Sequence, residues 1–411
     1  MTRAGDRKTW IVVAVAAGAV VILAGLGLPM LQVSVEAEGG DILAQTSDAI
    51  TVRCLGPEVT LSLDNFEGEV TFTNCFPNST LTGHDGSATT TGSNVSCQVD
   101  GSDTELRLTA ETKASFKFAV MGDSQGYNDM LAEALGQTGG CEFVIHCGDM
   151  TPSGQPSEYE SFQTTIGAVS VPVMTTPGNH DVKLNGSDEY ASRFGDSAYS
   201  FEYSGVTFAF VDSSDQVISE EEIAWLGQAF EGAERKVLIT HMPSYDPFGD
   251  NHTLDAASCD RIQGFMLDEG VDAVFTGHIH AYHFMQVEGV DCLITGGAGG
   301  ALVDGVHHVV IVTVDETGFS YEKIDLGYVP PASPNIQVIG RDGASLNLTY
   351  DELMSMDILD ADSSYENLYG NVAGEGHYTG VLVRDLLELV GGMVEGDLRK
   401  ITAADGYYQE F

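Results

Sequence analysis

The sequence has 411 residues, 43% of them hydrophobic, which is enough for buried cores and too long for one ordinary domain. Its 17 Lys and Arg against 61 Asp and Glu give a formal net charge of −44. Such a surface repels nucleic acid, and the chain has no basic stripe that follows a phosphate backbone, which excludes nucleic-acid binding. The charge fits either a self-repelling soluble surface or adaptation to a salty medium, where the repulsion is screened.

The first 35 residues predict a cytoplasmic tip and a transmembrane anchor. Arg3, Arg7 and Lys8 precede an uncharged stretch, 9–35, which is long enough to cross a hydrocarbon core of about 30 Å. Acidic residues follow it, so the positive-inside rule places the body of the chain outside the membrane. A signal peptide that is cleaved is the alternative, although no convincing small-residue cleavage pattern ends the stretch. Either interpretation exports the rest of the chain.

Residues 36–113 predict a small antiparallel β domain. Short alternating runs such as EVTLSLDNF and TELRLTAE are separated by turn residues, and a period of two is typical of half-buried strands. The segment holds no catalytic constellation, so we interpret it as a spacer or packing module. Three of the seven cysteines, Cys54, Cys75 and Cys97, fall here. In an exported chain two of them can form a disulfide, and the sequence leaves the pairing open.

Residues 114–328 alternate apolar strands with helices, which predicts an α/β domain. The strand-like runs are FKFAVM, EFVIHC, VPVMTT, VTFAFVD, KVLITH, DAVFTG, CLITGG and HVVIVTV. One helix is predicted in NDMLAEALGQ and another in SEEEIAWLGQAF, where Ser219 and Glu222 have the spacing of a capping box. The proline-containing stretch GYVPPASPN ends the domain, and residues 329–411 are predicted to form a linker and an accessory α+β module.

Polar residues of one kind follow the ends of these strands. They are Asp123 in GDSQ, Asp149 in GDM, Asn179, His180 and Asp181 in GNHD, His241 in THMP, and His278 and His280 in GHIH. Because loops beyond the carboxyl ends of strands converge in α/β proteins, we expect these side chains to surround one point. Carboxylate, amide oxygen and imidazole suit Zn, Fe and Mn alike, so the set predicts a site for two divalent or trivalent metal ions.

The series GDSQ, GDMTPSG, GNHD, THMP and GHIH, followed by Tyr282, resembles the calcineurin-like metallophosphoesterase superfamily, including its purple-acid-phosphatase-like branch. The resemblance implies a four-layer αββα core, two sheets flanked by helices, with a dinuclear centre at the sheet edge. It implies that Asp149 bridges both ions, that Asp123 and His280 hold the first, and that Asn179, His241 and His278 hold the second. It further implies that His180 acts on the leaving oxygen of the substrate, with Asp181 as an orienting neighbour.

One position departs from the family pattern. The first motif of the family usually reads Asp-x-His, and here Gln125 stands in place of the His. An amide oxygen is a weaker ligand than an imidazole, so the first ion can be looser, differently chosen, or held through water. The remaining histidines, among them His146, His252 and His308, have no motif around them or lie in an apolar strand.

The resulting hypothesis is a membrane-anchored phosphoesterase in which a metal-activated hydroxide hydrolyses a phosphate ester on the outer side of the membrane. The substrate can be a monoester, a diester or a nucleotide. The alternative is a surface binding or scaffold protein whose phosphoesterase domain is weakened by Gln125. The sequence indicates no particular protein partner.

The C-terminal stretch HYTGVLVRDLLELVGG faintly resembles part of the sulfite-oxidase-like molybdopterin-binding fold. The segment is short for that domain, and no cysteine follows Cys292 to ligate molybdenum. We therefore predict an accessory module without a cofactor.

Overall fold

The computed structural model describes residues 33–84, 86–249, 252–303 and 305–327, together with parts of 336–410. The chain divides into two compact units, Met1–Gly327 and Tyr328–Phe411. In the described ranges no helix combines the length and the apolar character that crossing a membrane requires. Almost all of the predicted anchor, 9–35, lies outside the described residues, and its last two residues belong to a strand that begins at Ser34.

The N-terminal β domain consists of two sheets. Its strands are β1 Ser34–Glu38, β2 Gly40–Gln45, β3 Ala49–Cys54, β4 Glu58–Asp64, β5 Glu67–Thr73, β6 Thr80–Thr82, β7 Thr89–Thr91, β8 Asn94–Asp100 and β9 Thr104–Thr109. The first sheet has the order β1-β4-β9-β6 and the second the order β2-β3-β5-β8-β7. Alternate residues of both, such as Val52, Leu61 and Phe72, share one buried core. The alternating runs of the sequence are therefore strands, as predicted.

The prediction of antiparallel pairing is wrong for one pair of strands, because β3 and β5 are parallel. The chain leaves β3, forms β4 in the other sheet, and returns as β5 beside β3. A crossover of this kind brings the second strand back in the same direction as the first. Hairpin-like alternation in the sequence does not show which sheet the next strand joins.

The α/β domain that follows contains two further sheets. Its strands are β10 Phe116–Met121, β11 Val144–His146, β12 Val173–Thr175, β13 Tyr199–Tyr203, β14 Val206–Phe210, β15 Arg235–Ile239, β16 Ala273–Thr276, β17 Tyr282–Val287, β18 Val290–Thr295, β19 His308–Asp315 and β20 Gly318–Asp325. The five-stranded sheet has the order β12-β11-β10-β19-β20, and the six-stranded sheet has the order β13-β14-β15-β16-β18-β17. Each of the eight apolar runs singled out in the sequence contributes a strand.

Helices cover the outer face of each sheet. They are α1 Asn128–Gly136, α2 Pro156–Ile166, α3 Gly186–Phe194, α4 Glu220–Ala229 and α5 Ala256–Glu269. The first three pack with the outer face of the five-stranded sheet, and α4 and α5 pack with that of the six-stranded sheet. Ser219 caps α4, since its hydroxyl accepts from the Glu222 N–H while the Glu222 carboxylate accepts from the Ser219 N–H. The predicted four-layer αββα architecture and capping box are confirmed.

An aromatic core lies between the two sheets. Phe118 of β10 stacks on Phe143 with ring centroids 5.0 Å apart, and both rings meet Phe208 of β14 edge-on. Edge-to-face and offset-stacked pairs add to the free energy gained by burying such large side chains. The core fixes the two sheets against each other, so the loops at their edges have a rigid base.

The direction of the strands brings the polar loops together. Strands β10, β11 and β12 run parallel, and so do β14, β15, β16 and β18. Their carboxyl ends therefore lie at one edge of each sheet, where the motifs that begin at Gly122, Gly148, Gly178, His241 and Gly277 follow them.

The C-terminal unit has its own small elements. They are β21 Ile336–Ile339, β22 Ser345–Leu348, β23 Ile358–Glu366, β24 Val372–Val381, α6 Val383–Glu388, β25 Lys400–Thr402 and β26 Tyr408–Glu410. The strands form three two-stranded sheets, and Val338, Leu348 and Val390 belong to a small core. The run IQVIG forms β21, whereas the helix expected near LTYDELMSM falls mostly outside the described residues.

We expect the free energy of unfolding to decrease as the pH is lowered, in part because of His308 at the start of β19. The ring is fully buried, and its Nδ1 lies 2.9 Å from the Val306 carbonyl oxygen. Burial lowers the pKa of His308 to about 4. Since an unfolded imidazole titrates near 6.5, the unfolded state binds more protons between these values, and stability is lost as pH falls through this window.

The variant His308→Gln removes this titration. The pH dependence of the unfolding free energy between pH 6.5 and 4 should then decrease by up to about 1.4 kcal/mol per pH unit, measured by urea unfolding. An unchanged slope in the variant contradicts the assignment.

Candidate metal centre

Two buried carboxylates lie at the carboxyl ends of neighbouring parallel strands. Asp123 follows β10 and Asp149 follows β11, and neither is more than 1% exposed. Their backbones are left-handed, with φ of 59° and 55°, as are those of Gln125 and His278 at 41° and 65°. Non-glycine residues rarely adopt this conformation, and it persists where the surrounding structure enforces it, often at functional sites. The sequence places both carboxylates here because each follows the last residues of an apolar strand.

The first group of candidate ligands contains Asp123, Asp149 and His280. One ligand atom from each lies within 4.8 Å of the others. His280 Nε2 is 3.3 Å from Asp123 Oδ1. The Gln125 amide lies in the same group, since its Nε2 donates to Asp149 Oδ2 at 3.0 Å and is 3.3 Å from His280 Nε2. The residue that departs from the family pattern thus contacts two of the candidate ligands.

The second group lies on the other side of Asp149. His241 Nε2 is 3.1 Å from Asn179 Oδ1 and 3.4 Å from Asp149 Oδ1. The ring of His278 is 5.1 Å from that of His241, measured between centroids. Asp149 therefore presents Oδ1 to this group and Oδ2 to Gln125 in the first. A carboxylate that faces two ligand groups has the geometry of a bridging ligand, which is the role that the resemblance implies.

Three imidazoles are oriented by the same kind of hydrogen bond, from Nδ1 to a backbone carbonyl oxygen. The Nδ1 atoms of His180, His241 and His280 face the carbonyl oxygens of Pro152, Cys147 and Ala301 at 2.7, 2.8 and 2.7 Å. Because a carbonyl oxygen only accepts, each Nδ1 carries a proton and donates. The lone pair of the neutral ring is then on Nε2, and a backbone partner on the other nitrogen is typical of histidines that bind metals.

Glycines let the loops approach the ligands closely. A Cβ at Gly277 would lie 2.4 Å from Asp123 Oδ2, and one at Gly300 would lie 2.7 Å from His280 Cε1. Both distances are shorter than carbon and oxygen atoms allow, so a side chain at either position would displace a candidate ligand. The run GGAGG, 296–300, therefore packs against the first group.

His180 and Asp181 have different surroundings. The His180 N–H donates to Asp149 Oδ1 at 2.8 Å, and the Pro152 carbonyl orients its ring. The buried Asp181 carboxylate instead accepts from the backbone N–H groups of Thr151 and Gly178, both at 2.9 Å. In the structure Asp181 thus joins the loops that carry Asp149 and His180, and the orienting contact on the ring comes from Pro152.

Charges of opposite sign perturb the titration of the central groups. Burial raises the pKa of Asp149, but the positive charges of His241 and His180 outweigh it and hold the pKa below its usual range. Burial likewise opposes the charged form of His280, but its hydrogen bond and charge interaction with Asp123 raise the pKa to about 9. Strongly perturbed groups of this kind mark functional sites, and a positive ion is the partner that such carboxylates attract.

One residue near the site carries no sequence motif. The ring of His252 lies 5.8 Å from that of His278. The Asp246 carboxylate organises this loop by accepting from the N–H groups of Phe248 at 2.8 Å and His252 at 3.1 Å. The signal available in the sequence was that His252 follows β15 in the same connection as His241. That signal is weak, because most residues of a long loop do not reach a site.

The four-layer fold and this set of carboxylates and imidazoles define a metal-dependent phosphoric ester hydrolase. The family model of the calcineurin-like phosphoesterases matches residues 116–282. Residues 116–282 thus match a calcineurin-like phosphoesterase domain, which confirms the resemblance found in the motifs.

Several curated proteins are similar to this chain. Serine/threonine-protein phosphatase CPPED1 of Mus musculus is 24% identical over 213 residues, which are 45% of this chain and 68% of the relative. Purple acid phosphatase 18 of Arabidopsis thaliana is 23% identical, over 45% of this chain and 48% of the relative. Among solved structures, purple acid phosphatase PPD1 from yellow lupin aligns with a TM-score of 0.48 at 13% identity, covering 65% of this chain and 70% of that chain.

We expect the ligand groups to lose metal in a defined pattern. His280→Ala should remove the ion of the first group and His278→Ala that of the second, because each deletes one imidazole. Asp149→Ala should remove both, since its two oxygens face both groups. Metal content per chain, measured by mass spectrometry after equilibration with Mn²⁺ and dialysis, checks this.

His84→Ala, in a loop of the N-terminal β domain, is the matched control and should keep the wild-type content. Retention of both ions by Asp149→Ala contradicts a shared carboxylate.

Proposed function

We propose that this chain is a dinuclear metal phosphoesterase that works on the outer side of a membrane. The observation that carries the proposal is the shared carboxylate of Asp149, with its two oxygens turned to two groups of ligands. Homology supports hydrolysis of phosphate esters, since curated relatives are phosphatases and one is named a glycerophosphodiester phosphodiesterase. The proposed location is based on the sequence, in which the basic residues Arg3, Arg7 and Lys8 precede the apolar stretch 9–35.

The residues present fit two cations of the Zn, Fe or Mn kind. Asp123 and His280 would hold the first, Asn179, His241 and His278 the second, and Asp149 both. When bound, such ions lower the pKa of a water molecule and neutralise charge on the phosphoryl oxygens. Gln125 contributes its amide to the first group, where it already contacts Asp149 and His280.

The protein's own groups complete the chemistry. His180 is fixed by Pro152 and by its backbone bond to Asp149, so its Nε2 is the nitrogen available to a substrate. We assign it the role of general acid: as an imidazolium, with protons on both Nδ1 and Nε2, it gives the Nε2 proton to the leaving oxygen when the ester bond breaks and is left as the neutral Nδ1–H ring. Asp181 supports this by joining the two loops that position His180 and Asp149. His252 stands beside His278, where it can contact the group attached to the phosphate.

We expect the Mn²⁺-loaded protein to hydrolyse p-nitrophenyl phosphate or its diester analogue. His180→Ala should lower kcat by about 10²- to 10⁴-fold, the usual contribution of a general acid, with the metal content unchanged. A panel of monoesters, diesters and nucleotides, compared by kcat/KM, then identifies the substrate class. Wild-type turnover no faster than that of His180→Ala would rule out the assigned role.

The location is tested with the same pair of proteins in whole cells. Cells that produce the wild-type chain should hydrolyse a substrate that does not cross membranes, whereas cells with His180→Ala should not. Activity that emerges only after lysis places the domain inside.

A surface binding or scaffold protein is the second candidate, and Gln125 is the observation that favours it. Its amide replaces the imidazole of the family pattern, and a loosely held first ion leaves the centre incomplete. A correctly folded protein that retains no metal and turns over no member of the substrate panel supports this reading.

A further inference from the structure

Two of the seven cysteines face each other in the N-terminal β domain. Cys54 Sγ and Cys75 Sγ are 3.7 Å apart, and both side chains are buried. Cys54 ends β3, and Cys75 follows β5, its parallel neighbour. Asn74 stands between the last residue of β5 and Cys75. Its backbone is left-handed, with φ of 57°, and turns the chain there. The two sulfur atoms thus meet because of the crossover between the sheets.

We propose that Cys54 and Cys75 form a disulfide bond that fastens the N-terminal β domain to the phosphoesterase core. The two sulfur atoms are 3.7 Å apart, so an approach of roughly 1.7 Å brings them to the S–S bond length of about 2.05 Å. Two S–H bonds break and one S–S bond forms, with release of two protons and two electrons. An oxidant that itself carries a disulfide takes up the two electrons and two protons by exchange through a mixed disulfide, and it is reduced to a dithiol.

The third cysteine of the domain lies away from this pair. Cys97 in β8 is opposite Val70 in β5, three residues before the position, Thr73, that pairs with Arg53. At about 3.3 Å per residue this separates Cys97 from the pair by roughly 10 Å along the strands. The pairing that the sequence leaves open is therefore decided by strand register.

The residues next to the two cysteines hold the edge of the catalytic sheet. Arg53 precedes Cys54, and its Nη2 donates to the Val173 carbonyl at 2.8 Å. Asn74 precedes Cys75, and its Oδ1 accepts from the Val173 N–H at 2.8 Å. Val173 begins β12, the edge strand that leads to Asn179 and His180. A disulfide bond between the cysteines thus joins the two segments that carry Arg53 and Asn74, the residues that hydrogen-bond to this strand.

The contact around Arg53 is extensive. The side chain is 4% exposed, its Nη1 donates to the Phe194 carbonyl at 3.3 Å, and its guanidinium lies 5.5 Å from the Phe194 ring. Asn74 also donates to the Cys54 carbonyl at 3.2 Å, which ties the two segments together directly. Reduction should loosen this junction first and the loop that carries Asn179 next, without changing the reacting groups.

The bond is detected in the full chain produced in an oxidising compartment and purified without reductant. Free thiols are alkylated in denaturant, and the peptides are then analysed by mass spectrometry. We expect a cross-linked pair that contains Cys54 and Cys75, with the other five of the seven cysteines alkylated. Alkylation of all seven, or a cross-link that contains Cys97, overturns the proposal.

The role of the bond is measured with the double variant Cys54→Ala, Cys75→Ala and with Cys97→Ala as the matched control. The double variant should melt about 5 to 10 °C below wild type, because a disulfide of this loop length constrains the unfolded chain. Dithiothreitol should lower the melting temperature of the wild type and of Cys97→Ala by a similar amount, and leave the double variant unchanged. Equal sensitivity of all three proteins contradicts the role, and the peptide analysis decides the bond even where the double variant fails to fold.

Discussion

The candidate metal centre is organised around the buried carboxylate of Asp149 and the partners that compensate its charge. Asp149 is nearly inaccessible to solvent, and a carboxylate in such a place requires positive or hydrogen-bonding partners on every side. Its two oxygens meet His241 and the backbone of His180 on one side and Gln125 on the other. Each partner comes from a different loop, so the arrangement exists only where the parallel strands end together.

The strain of these loops is sustained by the layers beneath them. Asp123, Asp149 and His278 have left-handed backbones, and each such residue costs about 1 to 3 kcal/mol. The aromatic core between the sheets and the backbone bonds of Asp181 hold the loops in place against this cost. The packing between the sheets thus stabilises the strained loop conformations that position the candidate ligands at the sheet edge.

The sequence was sufficient for the architecture, and the candidate ligands that it predicted lie together in the structure. Continuous apolar runs such as FKFAVM determine buried strands locally, and a polar residue directly after such a run has few other places to lie. It was insufficient wherever distant segments decide the outcome. The parallel pairing of β3 and β5 depends on which sheet β4 joins, and the contact between His252 and His278 depends on the path of a long loop. The resemblance implied that Asp181 is an orienting neighbour of His180, but no motif reveals that its oxygens accept from the backbone N–H groups of Thr151 and Gly178.

The hydrogen bonds from Nδ1 of His180, His241 and His280 to backbone carbonyls have a kinetic consequence. They select one tautomer and one ring orientation through the protein alone, so these donors are already aimed before any cation arrives. Little rearrangement remains for the polypeptide during loading, as in other preorganised sites. The steps that remain for loading lie largely outside the polypeptide: the ion sheds hydration water, and His280, whose pKa is raised to about 9, releases a proton.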